Sequence, residues 1–147
     1  MPSYNIPTQA LVLVGDGKRA LFLRNRGTPV RVELDLEREM AHEDAPTRDL
    51  GTDRPGRKPG VDGQSHSAIE QTDFHQQAES HFAASIAATL YDMGHAQKFK
   101  DLIVVAPPRM LGDLRAALHP EVRTRVVAEI AKDLVSEPLP EIAKHLM

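Results

Sequence analysis

The hydrophobic pattern changes period several times along the chain, and each change marks an element. Ala10 to Gly15 reads ALVLVG, a short unbroken apolar run rich in Leu and Val. Such a run predicts a strand covered on both faces. Asp16-Gly17 follows as a hairpin turn signal. Arg19 to Arg26, centred on Ala20-Leu21-Phe22-Leu23, predicts a second strand, and Asn25 to Pro29 supplies turn residues. From Val30 to Leu36 the chain alternates, with Val30, Val32, Leu34 and Leu36 on one side and Arg31, Glu33 and Asp35 on the other. That period of two predicts a third strand with one wet face. Three strands joined by short turns make an antiparallel meander.

No period survives from Glu37 to about Gln64, where prolines 46, 55 and 59 and glycines 51, 56, 60 and 63 are set among charged residues. A loop of that length is uncommon inside a domain unless it has a function or is disordered. The period of a helix then takes over from about Ser65 to Met93. Phe74, Ala78, Phe82, Ile86, Leu90 and Met93 recur at spacings of four and three, Ile69 extends the stripe, and Gly94 stands as the C′ residue. Ser67 and Glu70 have the spacing of a capping box.

Phe99 to Ala106 (FKDLIVVA) predicts a central strand stopped by Pro107-Pro108. Met110, Leu111, Leu114 and Leu118 give a helix over 109–118, broken by His119-Pro120. The core of Arg123 to Ala131 is read as a strand, although Val126, Val127 and Ile130 fit either period. Pro138 to Leu146 predicts a last helix with Pro in its first turn. The order β-β-β-α-β-α-β-α predicts an α/β fold with a mixed five-stranded sheet. It resembles an RNase H-like layered arrangement.

Composition narrows the function. The 147 residues fit one domain, 1–147, with a long loop at about 37–64. There is no cysteine, which removes disulfides, thiolate metal sites and cysteine nucleophiles. MPSYNIPTQ has neither the basic nor the apolar region of a secretory signal. The apolar runs fall well short of the roughly 20 residues that span a bilayer, so the expectation is a cytoplasmic protein without a membrane segment. A net charge of −3 argues against overall nucleic-acid affinity and leaves room for a local basic patch. With no Trp and 4% aromatics, stacking platforms for single strands are not expected.

Candidate chemistry concentrates in the long loop. Arg48, Arg54, Arg57 and Lys58 can hold phosphate or carboxylate, with Pro55, Gly56 and Pro59 fixing the backbone that presents them. Asp44, Asp49, Asp53 and Asp62 are interleaved and can pair with them instead. Asp16 invites comparison with the metal ligand of a nuclease, but two-metal chemistry needs several converging carboxylates. None is evident at a central strand end, so a hairpin turn is the favoured reading. His66 with Glu70 and His75 with Glu79 lie one helical turn apart without the HExxH order, and they read as a solvated helix face. No metal and no cofactor is expected.

Several stretches carry a family likeness. "LVLVGDGKRALFL", "DLGTDRPGR", "LIVVAPPRMLGDLRAAL" and "VVAEIAKDLVSEPLPEIAKHL" resemble the bacterial host-attachment family, titled "protein required for attachment to host cells", from about Leu11 to the C-terminus. That family is similar to the middle domain of archaeal and eukaryotic class I peptide-chain release factors. There a Gly-Gly-Gln loop precedes a long helix and reaches the ribosomal peptidyl-transferase centre. Gly63 and Gln64 fall where its second Gly and its Gln fall, and Ser65 continues the likeness. Asp62 stands where the first Gly belongs, adding a Cβ and a negative charge.

Two readings follow, with a metal nuclease through Asp16 as a weaker third. In the first, the chain is a non-enzymatic cytoplasmic module whose loop binds RNA, the ribosome or another anionic partner. In the second, it hydrolyses peptidyl-tRNA with Gly63 and Gln64 as the catalytic loop. The resemblance then implies that the Gln64 backbone N–H stabilises charge on the ester oxygen.

Overall fold

The computed structural model describes residues 4–42 and 68–147, with side chains from residue 77 onward in the second span. Its elements are β1 (Leu11–Gly15), β2 (Arg19–Asn25), β3 (Leu34–Ala41), α1 (Ala68–His95), β4 (Leu102–Ala106), α2 (Pro108–Ala117), α3 (Pro120–Arg123), β5 (Val126–Ala131) and α4 (Leu139–Leu146). The sheet order is β3-β2-β1-β4-β5. β2 runs antiparallel to both β1 and β3, while β4 is parallel to β1 and β5 to β4. The expected α/β architecture with a mixed five-stranded sheet is therefore present.

The unbroken apolar runs are explained by two cores. Leu11 and Leu13 of β1, with Phe22, Leu102 and Val104, face α1 and α2 through Phe82, Ile86, Leu90, Met110 and Leu114. Val12 and Val14, with Leu21, Leu23, Ile103 and Val105, face the other way onto Ile142 and Leu146 of α4. Every residue of β1 and β4 is buried. Each large apolar side chain taken from water contributes about 1.5–3 kcal/mol, so the two central strands fix the sheet.

Two expectations need correction. First, the third strand lies later than its alternation suggests. Residues 28–33 form a turn, closed by Arg26 N–H to the Glu33 carbonyl at 2.8 Å and Thr28 N–H to the Arg31 carbonyl at 3.0 Å. Val30 is 85% exposed there. The strand runs on through Leu34–Ala41, into the stretch from Glu37 that had no visible period. A β-bulge hid this second half: Leu23 pairs with Leu36, but Phe22 pairs with Arg38, leaving Glu37 as the extra residue. Leu34 therefore packs on the α4 side and Met40 on the α1 side. One parity of alternation crosses from one face to the other.

Second, α1 does not end at Gly94. It continues to His95, and Gln97 takes the C′ role with φ 60°. The Lys98 N–H reaches the Met93 carbonyl at 2.8 Å and the Gln97 N–H the Gly94 carbonyl at 2.9 Å. These two bonds make a Schellman closure. Gly94 itself is helical, and a Cβ there would lie 3.4 Å from the Phe99 ring and 3.6 Å from Arg125 Nε, ordinary contact distances.

The β1–β2 hairpin forms at Asp16-Gly17 as expected, without a left-handed glycine. Asp16 Oδ1 accepts from the N–H groups of Lys18 and Arg19, each at 2.8 Å, and no described glycine has positive φ. His119-Pro120 ends α2 as expected but also opens a further turn of helix, α3, in which His119 Nδ1 accepts from Glu121 N–H at 3.0 Å.

Candidate functional site

The candidate loop residues Gly63, Gln64, Arg48, Arg54, Arg57 and Lys58 lie outside the described residues, as do His66 and Ser67; Glu70 and His75 fall in the first turns of α1, where side chains are not described. The structure does place the points where that segment leaves and rejoins the fold. His42 donates its N–H to the Lys18 carbonyl at 2.7 Å, beside the β1–β2 turn. Its ring meets Phe82 of α1 edge-on, with centroids 5.7 Å apart. On the return side, Glu79 of α1 packs over Gly17 so closely that a Cβ there would sit 2.6–2.8 Å from its side-chain atoms. β3 thus ends, and α1 passes at Glu79, beside the β1–β2 turn. From that end of the sheet α1 runs on to close at the other.

Asp16, at the same end, is committed to the turn through its two backbone hydrogen bonds. Among the described residues, no group of three or more His, Asp or Glu is placed to hold a metal ion. Hairpin formation is the role that its geometry supports.

The opposite end of the sheet carries charged residues that sequence reasoning did not single out. Arg24 is 8% exposed and must be paired to sit there. It donates to Glu37 through Nε at 3.1 Å and Nη2 at 2.9 Å, and to the Gln9 carbonyl through Nη1 at 3.1 Å. Arg26 adds a bond from Nη2 to Glu37 Oε2 at 3.1 Å, and its Nε lies 3.4 Å from Asp35 Oδ2. The hydrogen bond from Arg24, reinforced by both positive charges, outweighs burial and holds the Glu37 carboxyl below the ordinary glutamate range. Between the two arginines, fully buried Asn25 ties the N-terminal segment to the turn. Its amide donates to the Ile6 and Pro7 carbonyls, and its Oδ1 accepts from Gly27 and Glu33 N–H.

These residues border an open cleft of about 620 Å³, closed on its other side by Gln97, Lys98, Lys100 and Arg125. The signals in the sequence were the R-x-R of Arg24 and Arg26 and the K-x-K of Lys98 and Lys100. Each has a period of two at a strand end. Neither is specific until the sheet order brings them to one edge.

Among the described residues, no helix is long and apolar enough to cross a membrane. No curated protein matches the chain. The family model of bacterial archaeo-eukaryotic release factor family 12 matches residues 9–146, which spans every strand and helix among the described residues. The chain belongs to bacterial archaeo-eukaryotic release factor family 12.

Proposed function

We propose that this chain is a translation-associated, non-enzymatic module that binds ribosomal or transfer RNA through the segment between β3 and α1. Membership of a release-factor family over 9–146 carries this reading. Arg48, Arg54, Arg57 and Lys58 supply the cations, and Arg54 and Arg57 present them on a Pro-Gly backbone. The module works in the cytoplasm without a cofactor. The host-attachment role implied by the sequence resemblance is then an indirect effect of its action on translation.

A second reading is supported by a specific observation: the segment bearing Gly63 and Gln64 leads into a helix of 28 residues, as the release-factor likeness requires. In that reading the Gln64 backbone N–H donates to the developing oxyanion as water cleaves the peptidyl-tRNA ester. Asp62 works against it, because a carboxylate enters a phosphate-rich site.

Ribosome co-sedimentation at two salt concentrations, with peptidyl-tRNA hydrolysis measured for wild type and Gln64→Ala, tests both. Salt-sensitive co-sedimentation with background hydrolysis in both proteins supports the binding module. Hydrolysis that Gln64→Ala abolishes replaces it with the enzyme. Loss of co-sedimentation at both salts rejects both.

A further inference from the structure

The cleft at the end of the sheet opposite the β1–β2 turn is a charged feature that the loop does not account for. Five basic side chains line it against two carboxylates, Glu37 and Asp101. It is a concentrated positive region on a chain whose net charge is −3. The two arginines of β2 and its end are held by Glu37, so they supply field rather than open donors. The lysines differ. Among the described residues, the ammonium groups of Lys98 and Lys100 have no ion-pair or hydrogen-bond partner. They flank Phe99, which is 4% exposed and anchors the segment, so both project outward from a fixed point.

Arg125 is equally well positioned. Its guanidinium lies over the Phe99 ring, 5.5 Å from the centroid, and Nη1 donates to the Phe99 carbonyl at 2.6 Å. That carbonyl bond leaves the rest of the guanidinium facing the cleft. Two residues at the rim, Gln9 at φ 70° and Gln97 at φ 60°, hold left-handed conformations that disfavour side chains other than Gly. Conformations of this kind gather at binding sites. The α1 closure also takes up the Met93 and Gly94 carbonyls, so they do not present bare oxygens to an anion. Past Glu37 and Lys98 the cleft continues into a second hollow of about 290 Å³ that includes Arg38, Thr89 and a third carboxylate, Asp92. The two share a border and form a groove rather than an enclosed pocket.

We propose that this groove binds the phosphodiester backbone of an RNA strand, with Lys98, Lys100 and Arg125 as the phosphate-contacting residues. The inference rests on the RNA-binding reading above only for the identity of the polyanion. It adds a second contact surface, at the end of the sheet opposite the β1–β2 turn. Open, polar and without an exposed aromatic platform, the groove suits backbone contact rather than base reading.

The test uses the full chain and a labelled single-stranded RNA oligonucleotide of mixed sequence, titrated between about 0.05 and 0.2 M salt. Wild type is compared with the double variant Lys98→Ala/Lys100→Ala and with Arg54→Ala/Arg57→Ala. Both lysines are exposed, so the fold is expected to survive, and circular dichroism checks it. Losing two phosphate contacts should lower the log–log salt slope by about 1.4 and weaken binding about tenfold near 0.1 M salt. Unchanged affinity and slope in the lysine variant overturn this inference, whatever the loop variant does. If the loop variant alone weakens binding, the groove fails and the loop reading stands. If the lysine variant alone weakens it, the groove stands and the loop reading fails. No RNA binding by wild type overturns both. Competition by ATP or inorganic phosphate at concentrations that leave the salt slope of RNA unaltered would make the groove a small-anion site and overturn its assignment to RNA.

Discussion

Arg24 grips Glu37 across a β-bulge with two parallel hydrogen bonds, of 3.1 and 2.9 Å, and the bulge is what turns Glu37 toward it. Without the extra residue, Glu37 would hold a ladder position opposite β2. The pair has a double effect. It satisfies a nearly buried guanidinium, and it masks part of the positive field of the groove. Glu37→Gln should therefore separate stability from binding. The neutral amide loses the charge-assisted pairing with both arginines and should cost about 1–3 kcal/mol in urea unfolding. The same change removes one of the groove's three carboxylates, Glu37, Asp92 and Asp101, so RNA affinity should rise several-fold, more at low salt than at high salt. A stability loss with unchanged or weaker RNA binding would count against the groove as an anion site.

The Glu37 carboxyl also sets an acid limit. Its pKa is lowered in the folded state, first by the hydrogen bond from Arg24 and then by the charges of Arg24 and Arg26. The unfolded chain, with an ordinary glutamate value of about 4.3, then binds more protons than the folded one as pH falls. The stabilisation is fully present above that value and is lost as pH drops through the folded pKa. Urea unfolding between about pH 6 and pH 3 should show a steeper loss in wild type than in Glu37→Gln. Parallel curves for the two proteins would show that this carboxylate adds nothing to the acid limit.

The turn after Asn25 offers a test of backbone packing. A Cβ on Gly27 would come within 2.1 Å of the Arg31 carbonyl oxygen and 3.0 Å of Glu33 N. Both neighbours are backbone and cannot swing aside. Gly27 N–H is also one of the donors that fix the buried Asn25 side chain. Gly27→Ala should therefore cost about 2 kcal/mol or more and lower the melting temperature. Because Asn25 stands between Arg24 and Arg26, RNA affinity should fall as well. An unaltered melting temperature would mean that the turn relaxes at no cost.

What could be read in advance follows from how local each cause is. β1 and β4 are buried on both faces, and their apolar runs, ALVLVG and LIVVA, announce this without reference to any other segment. Phe82, Ile86 and Leu90 of α1 were legible for the same reason, since one stripe meets one sheet. The end of β3 was not legible, because a bulge across from Phe22 and Leu23 reverses the meaning of its alternation. Nor was the basic groove. Arg24, Lys98 and Arg125 come from three separate parts of the chain, and only the β2-β1-β4-β5 order gathers them. The loop residues were conspicuous for their composition, whereas the groove residues are ordinary Lys and Arg at strand ends.

The end of α1 gives the sharpest contrast between a reading by residue type and a reading by geometry. If Gly94 were the left-handed C′ residue, Gly94→Ala would force a side chain into positive φ and destabilise the protein by about 1 kcal/mol. In the structure Gly94 is helical, and the new methyl group would meet Phe99 and Arg125 at 3.4 and 3.6 Å, ordinary contact distances. Gly94→Ala should then be neutral or stabilise by up to about 1 kcal/mol, the usual helix preference of Ala over Gly. Gln97, at φ 60°, carries the strain instead. Gln97→Gly should stabilise by roughly 0.5–1 kcal/mol, because Gly adopts the left-handed C′ conformation without a Cβ clash. The two substitutions are three residues apart and are best measured singly and together, by urea unfolding at one pH. A destabilised Gly94→Ala beside a neutral Gln97→Gly would return the helix end to Gly94. A neutral or stabilised Gly94→Ala beside a stabilised Gln97→Gly would place it at Gln97, where the Schellman closure also sets the position of Lys98 at the groove.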